Sequence, residues 1–218
     1  MIPLLRVLSF VANAALFAAP PLLLGFGWLA AAAAAAALFV VSWWACGRAP
    51  PGAPAHADVL EAAARAAERM GVRAPRFVRT VPGWIAGAVR ARGGYGLVLG
   101  EEVAARHREA LLAHEIAHYV AGDLLWEPFT DGPARVLLET TRGYFRVLAV
   151  PFALVAAPLG KVTELNADRL AAGAFPSYAA TLHEVADRMG PGAGLFYPSL
   201  AQRARHAARY SKGDPPSP

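Results

Sequence analysis

Residues 112–123, LAHEIAHYVAGD, contain the most informative pattern in the chain. His114, Glu115 and His118 follow the spacing H-E-x-x-H within an otherwise helical, largely apolar stretch. Side chains four residues apart stand on one face of a helix, so two histidines at this spacing can present ring nitrogens to one Zn²⁺ ion. The glutamate between them can then reach a metal-bound water as a general base. The alternative is a helix with two histidines and an incidental glutamate.

A catalytic zinc site also needs a third protein ligand and an open coordination position. Cys46 is the single cysteine of the chain, which excludes an internal disulfide framework and a cysteine-based zinc site. The sequence ELNAD at residues 164–168 places Glu164 and Asp168 one helical turn apart. One carboxylate could bind a metal while the other orients a ligand histidine. A solvated acidic helix face is the alternative, because this spacing is common.

HEIAHYVAGD followed by ELNADRLAA resembles the HtpX-like membrane zinc endopeptidases, the family that includes the CAAX prenyl proteases. That family joins an amino-terminal membrane hairpin to a cytosolic gluzincin domain, and this chain has the same order of features. The resemblance implies one Zn²⁺ ion per chain, with Glu164 as the third ligand. It further implies that Asp168 is an acidic partner of the ligands. Asp123 matches the aspartate that ends the zinc helix in the heat-shock members, which implies a structural or supporting role beside the site.

A shorter similarity lies near the carboxyl end. The family often has His-Pro, with an arginine six residues after that histidine, and this chain has Tyr197-Pro198 and Arg203. The resemblance implies that Arg203 pairs with a carboxylate or helps to stabilise the tetrahedral oxyanion. Tyr197 departs from the pattern, since its hydroxyl can donate a hydrogen bond but carries no positive charge. A simple basic terminal helix is the alternative explanation for Arg203.

The amino-terminal region indicates a membrane protein. The chain of 218 residues is 56% hydrophobic and 17% charged, and residues 2–46 contain one charged side chain, Arg6. About 20 apolar residues cross a bilayer, so this stretch predicts a transmembrane helical hairpin over residues 1–47. Arg6 and Arg48 flank an uncharged connection, so the positive-inside rule places both ends and the remaining chain in the cytoplasm. The predicted location is a bacterial inner (plasma) membrane. A cleaved signal peptide is the alternative for the first helix.

The predicted fold class is α+β, mostly α, with the hairpin followed by a gluzincin-type metalloprotease domain that contains a small antiparallel sheet. The predicted divisions after the hairpin are a linker at residues 48–57, the zinc metalloprotease domain at residues 58–210 and a disordered tail at residues 211–218. The predicted strands cover about residues 76–81, 84–89 and 95–99. One long helix is expected over residues 101–122. The apolar stretch 147–159 is short for a span, and we expect it to contact the membrane surface.

An exposed sheet edge is the expected substrate-binding element. The sequence WIAGAV begins with Trp84, Ile85, Ala86 and Gly87, and an extended peptide could add to such a strand through backbone hydrogen bonds. The small Ala86 and Gly87 would let a backbone approach closely, or they form a bulge in an ordinary strand. Lys and Arg number 21 against 16 Asp and Glu and are spread along the chain, so no nucleic-acid partner is expected. The oligomeric state stays open.

These features predict an integral-membrane zinc endopeptidase with Glu115 as general base and Arg203 or Tyr197 at the oxyanion. By resemblance to the heat-shock branch, its partners are misfolded or membrane-associated protein substrates and the lipid bilayer. One alternative is a protease for a single membrane precursor. The other is a membrane-anchored zinc-binding sensor or scaffold without turnover. Glu115 favours an enzyme, because a purely structural metal site needs no base there.

Overall fold

The computed structural model is mostly helical, with a small mixed sheet and apolar amino-terminal helices. It describes residues 1–48, 51–83, 85–106, 108–140, 146–189 and 197–211. The helices are α1 (Ile2–Leu23), α2 (Gly27–Cys46), α3 (Ala57–Arg69), α4 (Glu101–Arg106), α5 (Arg108–Val120), α6 (Asp123–Thr130), α7 (Gly132–Thr140), α8 (Arg146–Ala174), α9 (Tyr178–Met189) and α10 (Leu200–Ala208). The strands are β1 (Ala53–Pro54), β2 (Val78–Val81), β3 (Ala86–Ala91) and β4 (Gly94–Gly100).

The chain divides into two compact units. The hairpin unit comprises Met1–Arg48, Leu125–Val162 and Leu195–Tyr197. The sheet unit comprises Ala49–Leu124, Thr163–Gly194 and Pro198–Pro218. Neither unit is continuous along the sequence, so each is assembled from segments that are far apart in the chain.

The hairpin unit contains the two amino-terminal helices that the sequence predicts. Gly25 and Gly27 connect α1 to α2, both with a φ of 79°, which glycine adopts without a steric penalty. Inside the unit, the amide nitrogen of Asn13 donates hydrogen bonds to the carbonyl oxygens of Phe129 and Thr130, at 3.0 and 2.7 Å. Those carbonyls lie in the last turn of α6, where backbone carbonyl groups have no N–H partner within the helix. The Asn13 side chain therefore caps α6.

The third apolar stretch differs from its prediction. Residues 147–159 do not end as a short segment but continue through the ELNAD sequence at residues 164–168, and both belong to the 29-residue helix α8. Pro151 and Pro158 lie inside it; each removes one backbone hydrogen bond without ending the helix. Val147–Ala174 is therefore long and apolar enough to cross a membrane, as are α1 and α2. Three such helices are consistent with membrane association.

The sheet is mixed, so the prediction of an antiparallel sheet is wrong. The strand order is β1-β2-β4-β3, with β4 antiparallel to β3 but parallel to β2. A tight turn at Gly93 returns β4 along β3, and β4 then lies between β3 and β2. Leu97 and Leu99 of β4 are fully buried, whereas β3 is half-buried along its length, so the more apolar strand takes the central position.

Two further predictions change at the boundaries. The predicted linker contributes β1, whose Ala53 and Pro54 pair with β2. The single helix predicted over residues 101–122 is described as α4 and α5, and residue 107 between them lies outside the described residues. Most of the predicted tail, residues 212–218, also lies outside them.

The core of the sheet unit fixes the position of α5. Leu112 and Ile116 are fully buried in the cluster that also contains the inward residues of β4. Each fully buried leucine or isoleucine side chain contributes about 1.5–3 kcal/mol. Tyr119 of α5 stacks on Tyr95 of β4 with 4.2 Å between ring centroids. Because these residues occupy one side of α5, residues 114 and 118 must lie on another face of the helix.

Candidate metal centre

His114 and His118 stand one turn apart on α5, as their spacing predicts. Their Nε2 atoms are 3.2 Å from each other, and the two rings meet almost perpendicularly. The His114 side chain is buried, and that of His118 is nearly so. Two buried imidazoles therefore direct the same nitrogen towards one point.

Glu164 of α8 completes the group. Its Oε2 lies 3.3 Å from His114 Nε2, and its Oε1 lies 3.4 Å from His118 Nε2. The ligand atoms of the three residues are all within 4.8 Å of one another. A tetrahedral Zn²⁺ site with ligands at ~2.0–2.1 Å has ligand–ligand distances of about 3.3–3.4 Å. The His114, His118 and Glu164 group could therefore hold a metal ion, and its spacing fits one of the size of zinc.

Each histidine also contacts a second carboxylate through its other ring nitrogen. Asp168 Oδ1 lies 3.1 Å from His114 Nδ1, and Asp123 Oδ2 lies 2.8 Å from His118 Nδ1. An Nδ1–H that donates to a carboxylate leaves the lone pair on Nε2, which is the atom that faces the other ligands. The two aspartates singled out in the sequence are thus placed to orient the two histidines.

The guanidinium of Arg203 contacts the buried carboxylates of Glu164 and Asp168. Its Nε donates to Asp168 Oδ2 at 2.9 Å, and one terminal nitrogen donates to Asp168 Oδ1 at 2.8 Å. The other terminal nitrogen lies 2.9 Å from Glu164 Oε2. Of the two roles considered for Arg203, carboxylate pairing is the one that this geometry displays. Burial lowers the pKa of the guanidinium, but the Glu164 and Asp168 carboxylates outweigh it and raise the pKa above its usual value.

Local sequence positions Arg203 at the start of α10. Ser199 is the N-cap: its hydroxyl accepts from the Gln202 amide at 3.2 Å, and the Gln202 side chain accepts from the Ser199 amide at 3.0 Å. This reciprocal pair is a capping box, which fixes where the helix begins. Arg203 follows directly in the first turn of the helix.

The charges around the histidines change their proton affinity. Burial lowers the pKa of His118, but hydrogen bonds to Asp123 and Glu164 outweigh it and hold the pKa well above its usual value. Burial and the Arg203 charge lower the pKa of His114, and the contacts with Asp168 and Glu164 more than compensate. Without a metal, both imidazoles therefore hold a proton more readily than an exposed histidine does.

Glu115 shares this environment. Its side chain is buried on α5, and its negative charge contributes to the raised pKa of the neighbouring His118. Glu115 does not belong to the group of ligand atoms around Glu164. Glu115 therefore adds a buried carboxylate to the surroundings of His118 without being one of the three candidate ligands.

Tyr178 is the site residue that sequence reasoning missed. It begins α9, is 0% exposed, and its hydroxyl lies 2.5 Å from Asp168 Oδ1 and 3.0 Å from His114 Nδ1. Burial and the Asp168 charge raise the pKa of Tyr178 well above its usual value. No motif surrounds this tyrosine in the sequence. Only the packing of α9 against the site brings it to Asp168.

The predicted substrate edge is partly described. Trp84 lies outside the described residues, and Ile85 is half-exposed before β3 begins. Ala86 and Gly87 pair with β4 in unbroken register, which leaves no bulge in β3 over residues 86–91. β3 is an outer strand of the described sheet. A Cβ atom added to Gly87 would meet no atom within 4 Å, so the backbone there is open to approach.

The remaining predicted site residue, Tyr197, is 54% exposed and belongs to the hairpin unit. Its assignment to the oxyanion stays a prediction.

Comparison with known proteins adds no further guidance. No family model matches the chain, and no curated protein or solved structure is significantly similar to it. The interpretation of the site therefore depends on its own residues and geometry.

Proposed function

We propose that this protein is a membrane-bound, zinc-dependent endopeptidase. The observation that carries the proposal is the convergence of His114, His118 and Glu164 beside the buried Glu115. Two imidazoles, one carboxylate and an adjacent base form the donor set of catalytic zinc sites that hydrolyse peptide bonds. The resemblance of the two motifs to the HtpX-like zinc endopeptidases supports the same reaction.

Each residue at the centre has a distinct task. His114, His118 and Glu164 would hold the Zn²⁺ ion, which would supply the Lewis acidity that acidifies water and polarises a peptide carbonyl. Glu115 accepts the proton of the attacking water and later delivers it to the nitrogen of the leaving amine. Asp168 and Asp123 hold the two imidazoles in the orientation that directs Nε2 inward.

Substrate binding is assigned to the outer edge of β3. An extended peptide can pair with this edge through backbone hydrogen bonds, which read the shape of a chain rather than its side chains. Ala86, Gly87 and Ala88 leave little side-chain bulk along the strand. This arrangement favours unfolded segments of varied sequence. Together with the three apolar helices, it supports misfolded or membrane-associated proteins as substrates, cleaved at the cytosolic face of the membrane.

The test is cleavage of casein by the detergent-purified full chain with added Zn²⁺. Glu115→Gln is compared with Glu109→Gln, a matched control on α5 whose exposed carboxylate lies 3.7 Å from Arg65. We expect both variants to retain one zinc per chain and Glu115→Gln alone to lose at least 100-fold in rate, within the range for general-base loss.

The possible outcomes separate the alternatives. Zinc retention without cleavage by the parent protein would favour a sensor or a protease with one dedicated substrate. Unchanged cleavage by Glu115→Gln would exclude Glu115 as the base. Failure of the parent chain to retain stoichiometric zinc would overturn the metal site itself.

A further inference from the structure

Tyr178 occupies a position behind the metal group. Its hydroxyl contacts Asp168 Oδ1 and His114 Nδ1, and its ring lies parallel to the His114 ring at an angle of 7°. The side chain is completely buried, so it cannot touch a substrate. Any effect of Tyr178 on the site must pass through His114 and Asp168.

Asp168 shares its two oxygens among four donors. Oδ2 accepts from Arg203 Nε, while Oδ1 is within hydrogen-bonding distance of the second Arg203 nitrogen, the Tyr178 hydroxyl and His114 Nδ1. An ionised carboxylate has about four acceptor sites and no proton to donate. The Asp168 carboxylate is therefore fully satisfied and held from three sides.

This arrangement selects one tautomer of His114. Nδ1 lies 3.1 Å from Asp168 Oδ1, and an ionised carboxylate can only accept, so Nδ1 carries the proton and Nε2 keeps its lone pair. The free lone pair of Nε2 points towards His118 and Glu164.

We propose that Tyr178 is a positioning residue of the metal centre. Its hydrogen bond holds Asp168 Oδ1 against His114 Nδ1, and this contact keeps the His114 ring turned with Nε2 towards the ligand group. The inference rests on the proposed function only in that it takes the centre to bind zinc. It does not depend on peptide hydrolysis.

The test compares Tyr178→Phe with Tyr119→Phe in the full chain in detergent. Both variants lose one hydroxyl, and Tyr119 stacks on Tyr95 while its hydroxyl makes no hydrogen bond to any described residue. Three properties are measured: zinc affinity by chelator competition, the unfolding midpoint with and without zinc, and the ¹⁵N signals of the His114 ring in the metal-free protein at alkaline pH. A His114→Asn sample identifies those signals.

We expect Tyr178→Phe to weaken zinc binding about 10-fold or more, the usual effect of losing a partner of a ligand histidine. The increase in unfolding midpoint caused by zinc should shrink accordingly. The His114 signals should change from one tautomer towards a mixture of two. Tyr119→Phe should match the parent protein in all three properties.

A purely structural role gives a different result. Tyr178→Phe would then lower the midpoint equally with and without zinc, with unchanged zinc affinity and His114 signals, and the inference would be wrong. If Tyr178→Phe alters the His114 signals but the zinc-loaded parent cleaves nothing, the positioning role stands while the proposed endopeptidase activity fails. A parent chain that binds no zinc would overturn both.

Discussion

At the scale of single residues, the site pairs the buried charges of Glu164, Asp168 and Arg203. Two carboxylates, Glu164 and Asp168, share one guanidinium from Arg203, and each histidine has a carboxylate at Nδ1. Buried charges are tolerated when each one is paired and hydrogen-bonded, whereas removal of one partner leaves the other charge uncompensated.

Arg203→Leu should therefore destabilise the metal-free protein by about 3–5 kcal/mol, because it strands two buried carboxylates. Zinc should restore part of this loss, since its charge would lie next to Glu164. Denaturant unfolding with and without zinc measures both effects. Arg205→Leu, at an exposed position on the same helix, is the control and should change stability by about 0.5 kcal/mol or less. Equal stability of the two variants would show that Arg203 does not compensate the buried charges of Glu164 and Asp168.

Zinc affinity should rise with pH. The pKa values of His114 and His118 are raised in the folded, metal-free protein, so zinc has to displace protons from both rings. Binding should strengthen as the pH rises through these raised values, above the ordinary histidine pKa of about 6.5. Calorimetry in buffers of different ionisation enthalpy measures the proton release. An affinity that stays flat between about pH 6 and pH 9 would contradict the assignment of neutral imidazoles as ligands.

Some residues of the candidate metal centre could be predicted from the sequence, and others could not. The pair His114 and His118 and the pair Glu164 and Asp168 were predictable, because each depends on the spacing within one helix. Tyr178 was not, since its contact with Asp168 depends on how two helices pack. The charge pairing of Arg203 was suggested only by resemblance.

At the scale of elements, the site depends on where helices begin and continue. α10 starts at the capping box of Ser199 and Gln202, and Arg203 stands directly behind it. α8 carries an apolar half and the ELNAD sequence in one uninterrupted helix. The sequence predicts a separate short apolar segment at residues 147–159. Pro151 and Pro158 nevertheless lie inside the helix, because a helix in apolar surroundings can accommodate proline.

Loss of the cap at Ser199 should weaken α10. Ser199→Ala removes the acceptor for the Gln202 amide and should lower the free energy of unfolding by about 1 kcal/mol. Ser199→Asp supplies a carboxylate oxygen as the acceptor at the N-cap and should retain most of the stability. Chemical denaturation of both variants tests this. If Ser199→Asp is as unstable as Ser199→Ala, the stabilising contact at this position is not the cap.

The sheet shows why the order of strands is harder to predict from a sequence than the strands themselves. All three strands expected from composition are present with shifted ends, and the β3–β4 turn is local. The parallel pairing of β2 with β4 is a contact between strands that are not consecutive. This pairing depends on which strand buries the most apolar surface. The residue pattern within one strand does not reveal how its burial compares with that of the other strands.

At the scale of the whole molecule, the chain combines an apolar helical unit with a unit that carries the candidate metal centre. Predicted boundaries at residues 47 and 57 followed local composition. The grouping of residues 125–162 with α1 and α2 could not be seen that way, because it arises from packing between distant segments. Three helices with the length and hydropathy of membrane spans belong to the same chain as the ligands.

The full chain should behave as an integral membrane protein. It should remain in the membrane pellet after washes with high salt and alkaline carbonate and should enter solution only with detergent, because salt disrupts electrostatic attachment but not buried apolar helices. Fractionation with immunoblotting measures this. Release by carbonate would indicate that the apolar helices do not span the bilayer.

The proposed function depends above all on one zinc ion bound by His114, His118 and Glu164. The most direct measurement is the zinc content of the purified full chain, combined with X-ray absorption at the zinc edge. We expect one zinc per chain, bound by two imidazoles and oxygen at about 2.0–2.2 Å without sulfur, and loss of that zinc in Glu164→Ala. Zinc below stoichiometry, or a zinc–sulfur distance of about 2.3 Å, would contradict it.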